Sequence, residues 1–287
     1  RIMDFINAII LLSNFVIVPS ITYGSQLALG AIGVTLIYGV LRFANFAYGD
    51  LMAFGTMCVI LFTWLLKSWG ISLGILPTAL LALPFGIILT IVVSLFFDKT
   101  VFKYYRNKKS SPVTFIVVSL GIMFVLNAVV RIIIGPNDIV FMDGTRFIIS
   151  AVEFKEATGF LEGLTIKSTQ VITLITTSIT CLLLFNFLNK TKTGKSMRAY
   201  SNNEDLALLS GIDPNKIILI TWIIVSILAT IGGTLYGLDK SFKPFTYFNN
   251  LLPIFAATIV GGIGNPLGAF YGGFVIAFSE IALTYAY

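Results

Sequence analysis

The chain has 287 residues, of which 57% are apolar and 11% charged, with a mean hydropathy of +0.94. A soluble domain carries about 25% charge and 45–50% apolar residues, so most of this surface is built to face lipid rather than water. The net charge of +6 would suggest nucleic acid in a soluble protein. Here the charges crowd into a few loops, which assigns them to membrane orientation and excludes nucleic acid as a partner. The absence of histidine removes the usual general base and a common metal ligand. Cys58 and Cys181 lie in apolar runs and read as packing residues, so neither metal nor cofactor is expected.

In chain order, runs long enough for a span of roughly 20 residues are Ile21–Leu41, Leu51–Leu66 with its flanks, Ile75–Phe97, Val113–Ile134, Gln170–Leu188, Ile217–Leu238 and Leu267–Tyr287. Phe5–Ser20, ending at Pro19 and Ser20, either spans or lies at the interface. Leu251–Val260 is too short to cross alone before Gly261 and Gly262. The expected fold is an all-α polytopic bundle of about 7–9 spans with glycine-broken helices, forming a single domain over residues 1–287. The chain opens on Arg1 and stops inside an apolar run, so both ends are expected to be incomplete.

Loop charge orients the bundle. Asp98–Pro112 holds Lys99, Lys103, Arg106, Lys108 and Lys109 against one acid, and Asn189–Lys216 holds Lys190, Lys192, Lys195, Arg198 and Lys216. Gly135–Thr169 carries three basic and five acidic residues. Lys and Arg stay on the cytoplasmic side, so the first two loops face inward and the third outward. One span separates each neighbouring pair, so parity agrees with charge. The same parity puts Arg42–Asp50 inside and Asp239–Asn250 outside.

Gly194-Lys195-Ser196 has the ending of a phosphate-binding loop. Position 189, where that motif requires glycine, is asparagine, and a span precedes it instead of a strand. Chemistry on bound nucleotide is therefore not expected of this segment. Beyond it, Ser201 and Glu204 have capping-box spacing, Gly211 suits a left-handed stop and Pro214 blocks continuation. A short helix over Asn202–Ser210 is expected, with Glu204 and Asp205 at its positive dipole end. It would expose Leu206, Ala207 and Leu209, either to the headgroups or to a groove in a partner.

Three stretches resemble one family. "TKTGKSMRAYSNNEDLALLSGIDPNKI" (Thr191–Ile217) looks like the cytoplasmic coupling loop of the branched-chain amino acid permeases of ABC transporters. "YGVLRFANFAYGDLMAFG" (Tyr38–Gly55) resembles their first signature region, and "GGIGNPLGAFYGG" (Gly261–Gly273) their C-terminal glycine-rich segment. "YYRNKKSSP" falls where the family has its first basic loop. Tyr48 and Asp50 stand where the family usually has His and Glu, and family members continue past Tyr287 into at least one more span.

The resemblance implies a multi-pass permease of the bacterial inner membrane, not itself an enzyme, that moves amino acids. Its implied partners are cytoplasmic ATP-binding subunits, a second permease or another copy of itself, and a periplasmic substrate-binding protein, with lipid around it. Residues 189–216 would be the coupling loop, with Ser201, Glu204, Asp205, Leu206, Leu209 and Gly211 against the ATPase. Asn45, Asn127, Gly261, Gly262 and Gly264 are the candidate pathway residues. A related permease for urea or short amides is the nearest alternative. A secondary transporter is a further one, for which an intramembrane ion site would be needed. Glu280 is the one acid clearly inside a span, without an evident partner, while Asp50 and Arg131 read as lying near membrane ends. A membrane enzyme would need a nucleophile or metal motif that the sequence does not supply.

Overall fold

The computed structural model describes residues 2–287. Seven helices are long and apolar enough to cross a membrane: α1 (Ile2–Leu41), α2 (Tyr48–Ser68), α3 (Ala79–Asn107), α4 (Pro112–Ile134), α6 (Ser168–Lys190), α9 (Pro214–Asp239) and α11 (Pro266–Ala286). Shorter helices are α5 (Ala151–Thr158), α7 (Lys192–Asn202), α8 (Glu204–Leu209) and α10 (Pro244–Gly261). A two-stranded antiparallel ribbon pairs β1 (Phe147–Ile149) with β2 (Ile166–Lys167).

Proline sets many of the starts. Pro112, Pro214, Pro244 and Pro266 each occupy the first turn of a helix, where a missing N–H costs nothing. Phe5–Ser20 is not a separate element. It continues into α1 through a π-helical turn at Ser13–Ile17, directly before Pro19. The wider turn accommodates the hydrogen bond that the proline cannot donate.

α10 corrects the expectation for Leu251–Val260. The helix begins at Pro244, which leaves only a short connection after α9 in place of a loop running to Asn250. Its ends lie at opposite faces of the bundle. Lys243 pairs with Asp138 at 3.0 Å, while Gly264, just past its other end, donates to Thr35 Oγ1 at 2.8 Å. Polar residues such as Asn249 and Asn250, with Pro253 in its interior, hide this eighth crossing from hydropathy.

The loops sort by charge as expected. Arg42, Arg106, Lys109, Tyr200 and Glu204 line one cavity of 350 Å³, so the two basic loops share an end. At the other end Ile139 pairs with Phe242, and Asp143 accepts from Thr78 N (2.8 Å) and Thr78 Oγ1 (2.6 Å) beside Lys67. Burial alone would raise the Asp143 pKa; the two Thr78 hydrogen bonds and Lys67 outweigh it and hold it below the usual carboxylate value. A depressed carboxylate stabilises the fold above about pH 4 and loses that contribution as pH falls through its folded pKa. Single cysteines at Lys108 and Lys155 test the sidedness. Impermeant reagent added to intact cells should label the second and spare the first, and the reverse pattern would invert the topology.

The centre of the bundle is α9 against α1, α2 and α3. Membrane helices gain no hydrophobic drive from each other, so small residues and hydroxyls join them. Ser94 and Ser226 hydroxyls meet at 2.6 Å, and Thr230 donates to Thr90 at 3.0 Å. At the basic end Asp98 accepts two bonds from Arg106 (2.6 and 3.0 Å) and one from Trp222 Nε1 at 2.8 Å. Asp98→Ala strands both donors in a mostly buried place, a loss of about 3 kcal/mol. A thermal unfolding shift of the detergent-solubilised chain measures it, and an unshifted transition would show that water replaces the carboxylate freely.

Residues 42–47 depart from the expected cytoplasmic turn. Arg42 reaches Ser201 O at the basic end (2.6 Å). Phe46 N then bonds Ser119 Oγ (3.2 Å), and Asp50 meets Asn127. Asn127 lies fifteen residues into α4, about 22 Å along its axis. Residues 42–47 therefore enter the bundle as non-helical backbone to the level of Ser119, about 10 Å along α4, which is tolerated because protein surrounds it, and the first turn of α2 carries Asp50 on to Asn127.

Candidate functional site

Two regions carry the polar and exposed features. The first is the cap at the basic end, formed by α7 and α8. Thr191 caps α7 by accepting from Gly194 N (3.0 Å), and Lys195 N bonds Thr191 O (3.1 Å). Gly194-Lys195-Ser196 is thus the first turn of a helix, packed with Gly194 against the Phe187–Leu188 backbone. Its amides are engaged in helix bonds and not arranged as a phosphate cradle. α7 was not expected from the sequence. Met197 and Tyr200 are its buried face.

The start of the next helix differs from the expected box. Ser201 belongs to the last turn of α7, and the cap of α8 is Asn203, whose Oδ1 accepts from Leu206 N (3.0 Å). Glu204 instead accepts from Tyr200 Oη at 2.7 Å. Burial and the adjacent Glu204 push the Tyr200 hydroxyl above the ordinary tyrosine range, so it remains a donor at neutral pH. Ser201 works from below: its carbonyl holds Arg42, and its Oγ fills the space over Gly39. Gly211 is left-handed, φ +80, and ends the cap as anticipated.

α8 presents Leu206 (60% exposed) and Leu209 (84%), joined by Leu208. Ala207, expected outside, is 3% exposed and faces the bundle. Asp205 is exposed on the first turn. The glycine-rich segment lies beside this cap. A cavity of 280 Å³ is lined by Thr35, Met197, Arg198, Ser201, Gly264 and Asn265, among others. The break between α10 and α11 is a tight turn, with Gly262 at φ +93 and Gly264 at φ +87, and Gly261 packs backbone to backbone against Gly268. The structure thus groups Gly261, Gly262 and Gly264 with the cap, not with Asn127.

The second region is inside the bundle. Asn127 Nδ2 donates to Asp50 Oδ1 at 2.9 Å. Asp50 is 1% exposed. One turn further along α4, the Arg131 guanidinium lies over the Phe245 ring, 3.3 Å from its centroid. Arg131 sits in the last turn of α4, near the membrane end that the sequence suggested, whereas Asp50, expected near the other end, is buried against Asn127. Asn45, also buried, accepts from Ala47 N at its Oδ1 (2.9 Å) and serves the turn into α2. The spacing of Asn127 and Arg131, four apart on one helical face, was readable in advance, whereas the meeting of Asn127 with Asp50 was not. Glu280 has a partner after all in the Tyr23 hydroxyl, beside a 650 Å³ cavity at the acidic end. Among the described residues, no group of three or more metal-ligating side chains is present.

The fold and site define a polytopic membrane protein with charged groups in its interior and an apolar knob at its basic end. The family described as branched-chain amino acid transport system, permease component, matches residues 16–287, and the chain belongs to it. It is a multi-pass protein of the plasma membrane. It is similar to the high-affinity branched-chain amino acid transport system permease protein LivH of Salmonella typhimurium, 27% identical over 93% of this chain and 84% of the relative. It is also similar to the probable branched-chain amino acid transport permease protein LivH of Methanocaldococcus jannaschii, 30% identical over 93% and 79%. The nucleoside ABC transporter permease protein NupB of Lactococcus lactis is 26% identical over 50% of this chain and 37% of its own. No solved structure matches the chain.

Proposed function

We propose that this chain is the membrane-spanning subunit of an ATP-driven importer of branched-chain or other small amino acids. It works as one domain, paired with a second permease or another copy of itself. A substrate-binding protein delivers solute at the acidic end, and ATP-binding subunits grip the α7–α8 cap at the basic end. What supports the reading is the exposed Leu206, Leu208 and Leu209 on a cap tied to α1 through Arg42 and Ser201, in a chain similar along 93% of its length to permeases of such systems. Exposed leucines on a helix too short to be stable alone need a surface to rest against. Motion of that surface would reach α1 and the 42–47 segment through rigid contacts. The pathway would pass Asn127, with Asn45 and the Gly261–Gly264 turn nearer the inner mouth.

The test is uptake into proteoliposomes holding the chain with its ATP-binding and substrate-binding partners. Leucine accumulation that requires ATP is expected. Urea accumulation in its place would overturn the substrate. Uptake driven by an ion gradient without ATP would make the protein a secondary transporter.

A further inference from the structure

We propose that Asp50, Asn127 and Arg131 form a membrane-embedded subsite for the zwitterionic head of an α-amino acid, an inference that rests on the transport reading above. Charge inside a span is expensive and marks function by default. Here both signs occur at one depth and remain incompletely satisfied. Asp50 Oδ1 is held by Asn127, but Asp50 Oδ2 is buried without a hydrogen-bond partner. Arg131 Nε and Nη2 are likewise buried without an acceptor. Among the described residues, no ion pair joins the two.

A structural pair in an apolar interior gains by closing up, because each unpaired charge there carries its full desolvation cost. This pair is held open from both sides. The Asn127 amide fixes one carboxylate oxygen of Asp50, and Phe245 holds the guanidinium by stacking. The groups left over are an acceptor of one negative charge and two N–H donors of one positive charge. An α-amino acid supplies their complement: the ammonium donates to Asp50 Oδ2, and the carboxylate accepts from Arg131, whose planar fork suits it. The Phe245 ring offers an apolar neighbour to the side chain. A neutral solute such as urea cannot neutralise both charges, so this cluster favours a zwitterion over the amide alternative.

The experiment uses the complete importer in proteoliposomes, with Cys58 and Cys181 replaced by serine and Asn249→Cys, exposed one turn from Phe245 on α10, as a reporter beside the cluster. Leucine should slow labelling of that cysteine by a water-soluble thiol reagent at least about fivefold, and isoamylamine, which lacks the carboxylate, should not. Adding Asp50→Asn or Arg131→Gln should remove the protection. Without the reporter, the same two variants should lower leucine uptake at least about tenfold while the ATP-binding subunits still co-purify. Asp50→Glu and Arg131→Lys, which keep the charges, should recover part of it. Wild-type uptake of leucine with both neutral variants within about twofold would overturn the subsite and leave the transport reading standing. Loss of assembly in all four variants would make the cluster a structural pair. A wild-type importer that moves no amino acid would overturn both.

Discussion

Leu206→Asp combined with Leu209→Asp is expected to leave the chain in the membrane and to abolish uptake. Both side chains are exposed in the isolated chain, so their replacement costs the fold little. If each is buried in a partner, each contributes about 1.5–3 kcal/mol of transfer free energy, and placing a carboxylate there adds desolvation. A combined loss of about 3–6 kcal/mol corresponds to roughly two to four orders of magnitude in affinity for the ATP-binding subunits. Co-purification of those subunits and leucine uptake are the two measurements. Ala207→Asp is the internal contrast, since its side chain faces the bundle; that variant should fail to fold instead. Normal assembly and transport by the double variant would reduce α8 to a passive interfacial segment.

Gly268→Val should remove the protein from the membrane altogether. The backbones of α10 and α11 touch at Gly261 and Gly268, where an added Cβ at either position would run into the carbonyl of the other. α11 cannot move aside, because Gly273 on its other side lies 2.6 Å, measured from an ideal Cβ, from Ala28 N of α1. Both obstacles are backbone, so no rotamer change relieves them. Overpacking of a well-filled core costs typically 1–3 kcal/mol, and two fixed backbones place this site at or above the upper end. Gly121→Ala is the matched control: a Cβ there meets nothing within 4 Å, and a helix gains about 1 kcal/mol from alanine. Membrane abundance and thermal aggregation of the two variants should therefore move in opposite directions. Equal abundance would mean that the α10–α11 contact is looser than drawn.

The candidate site was legible in part. Asn127 stood out as an amide in an apolar run, and Gly211 as a stop before Pro214. Asp50 did not, because hydropathy placed it near the end of a span and the distance along the chain said nothing of depth. Ser201 and Glu204 had the spacing of a capping box, but spacing alone does not show whether a preceding helix has already taken the first residue. α7 had taken Ser201, so the cap passed to Asn203. The exposure of Ala207 was misjudged for a related reason. A six-residue helix has no periodicity long enough to tell its faces apart, and what α8 rests upon decides the question.

The sequence by itself determined that the chain is a helical membrane bundle, where most spans lie and which loops share a side. Those properties follow from local sums: hydrophobic length against bilayer thickness and the count of Lys and Arg per loop. Only the tertiary structure decided that α10 crosses, that residues 42–47 enter the bundle as non-helical backbone, and that Asp50 meets Asn127. α10 is stabilised by packing against α1 and α11 more than by its own apolarity. The 42–47 backbone survives at depth only because protein covers it. Asp50 and Asn127 are 77 residues apart, and nothing in either local sequence encodes a contact that three packed helices create.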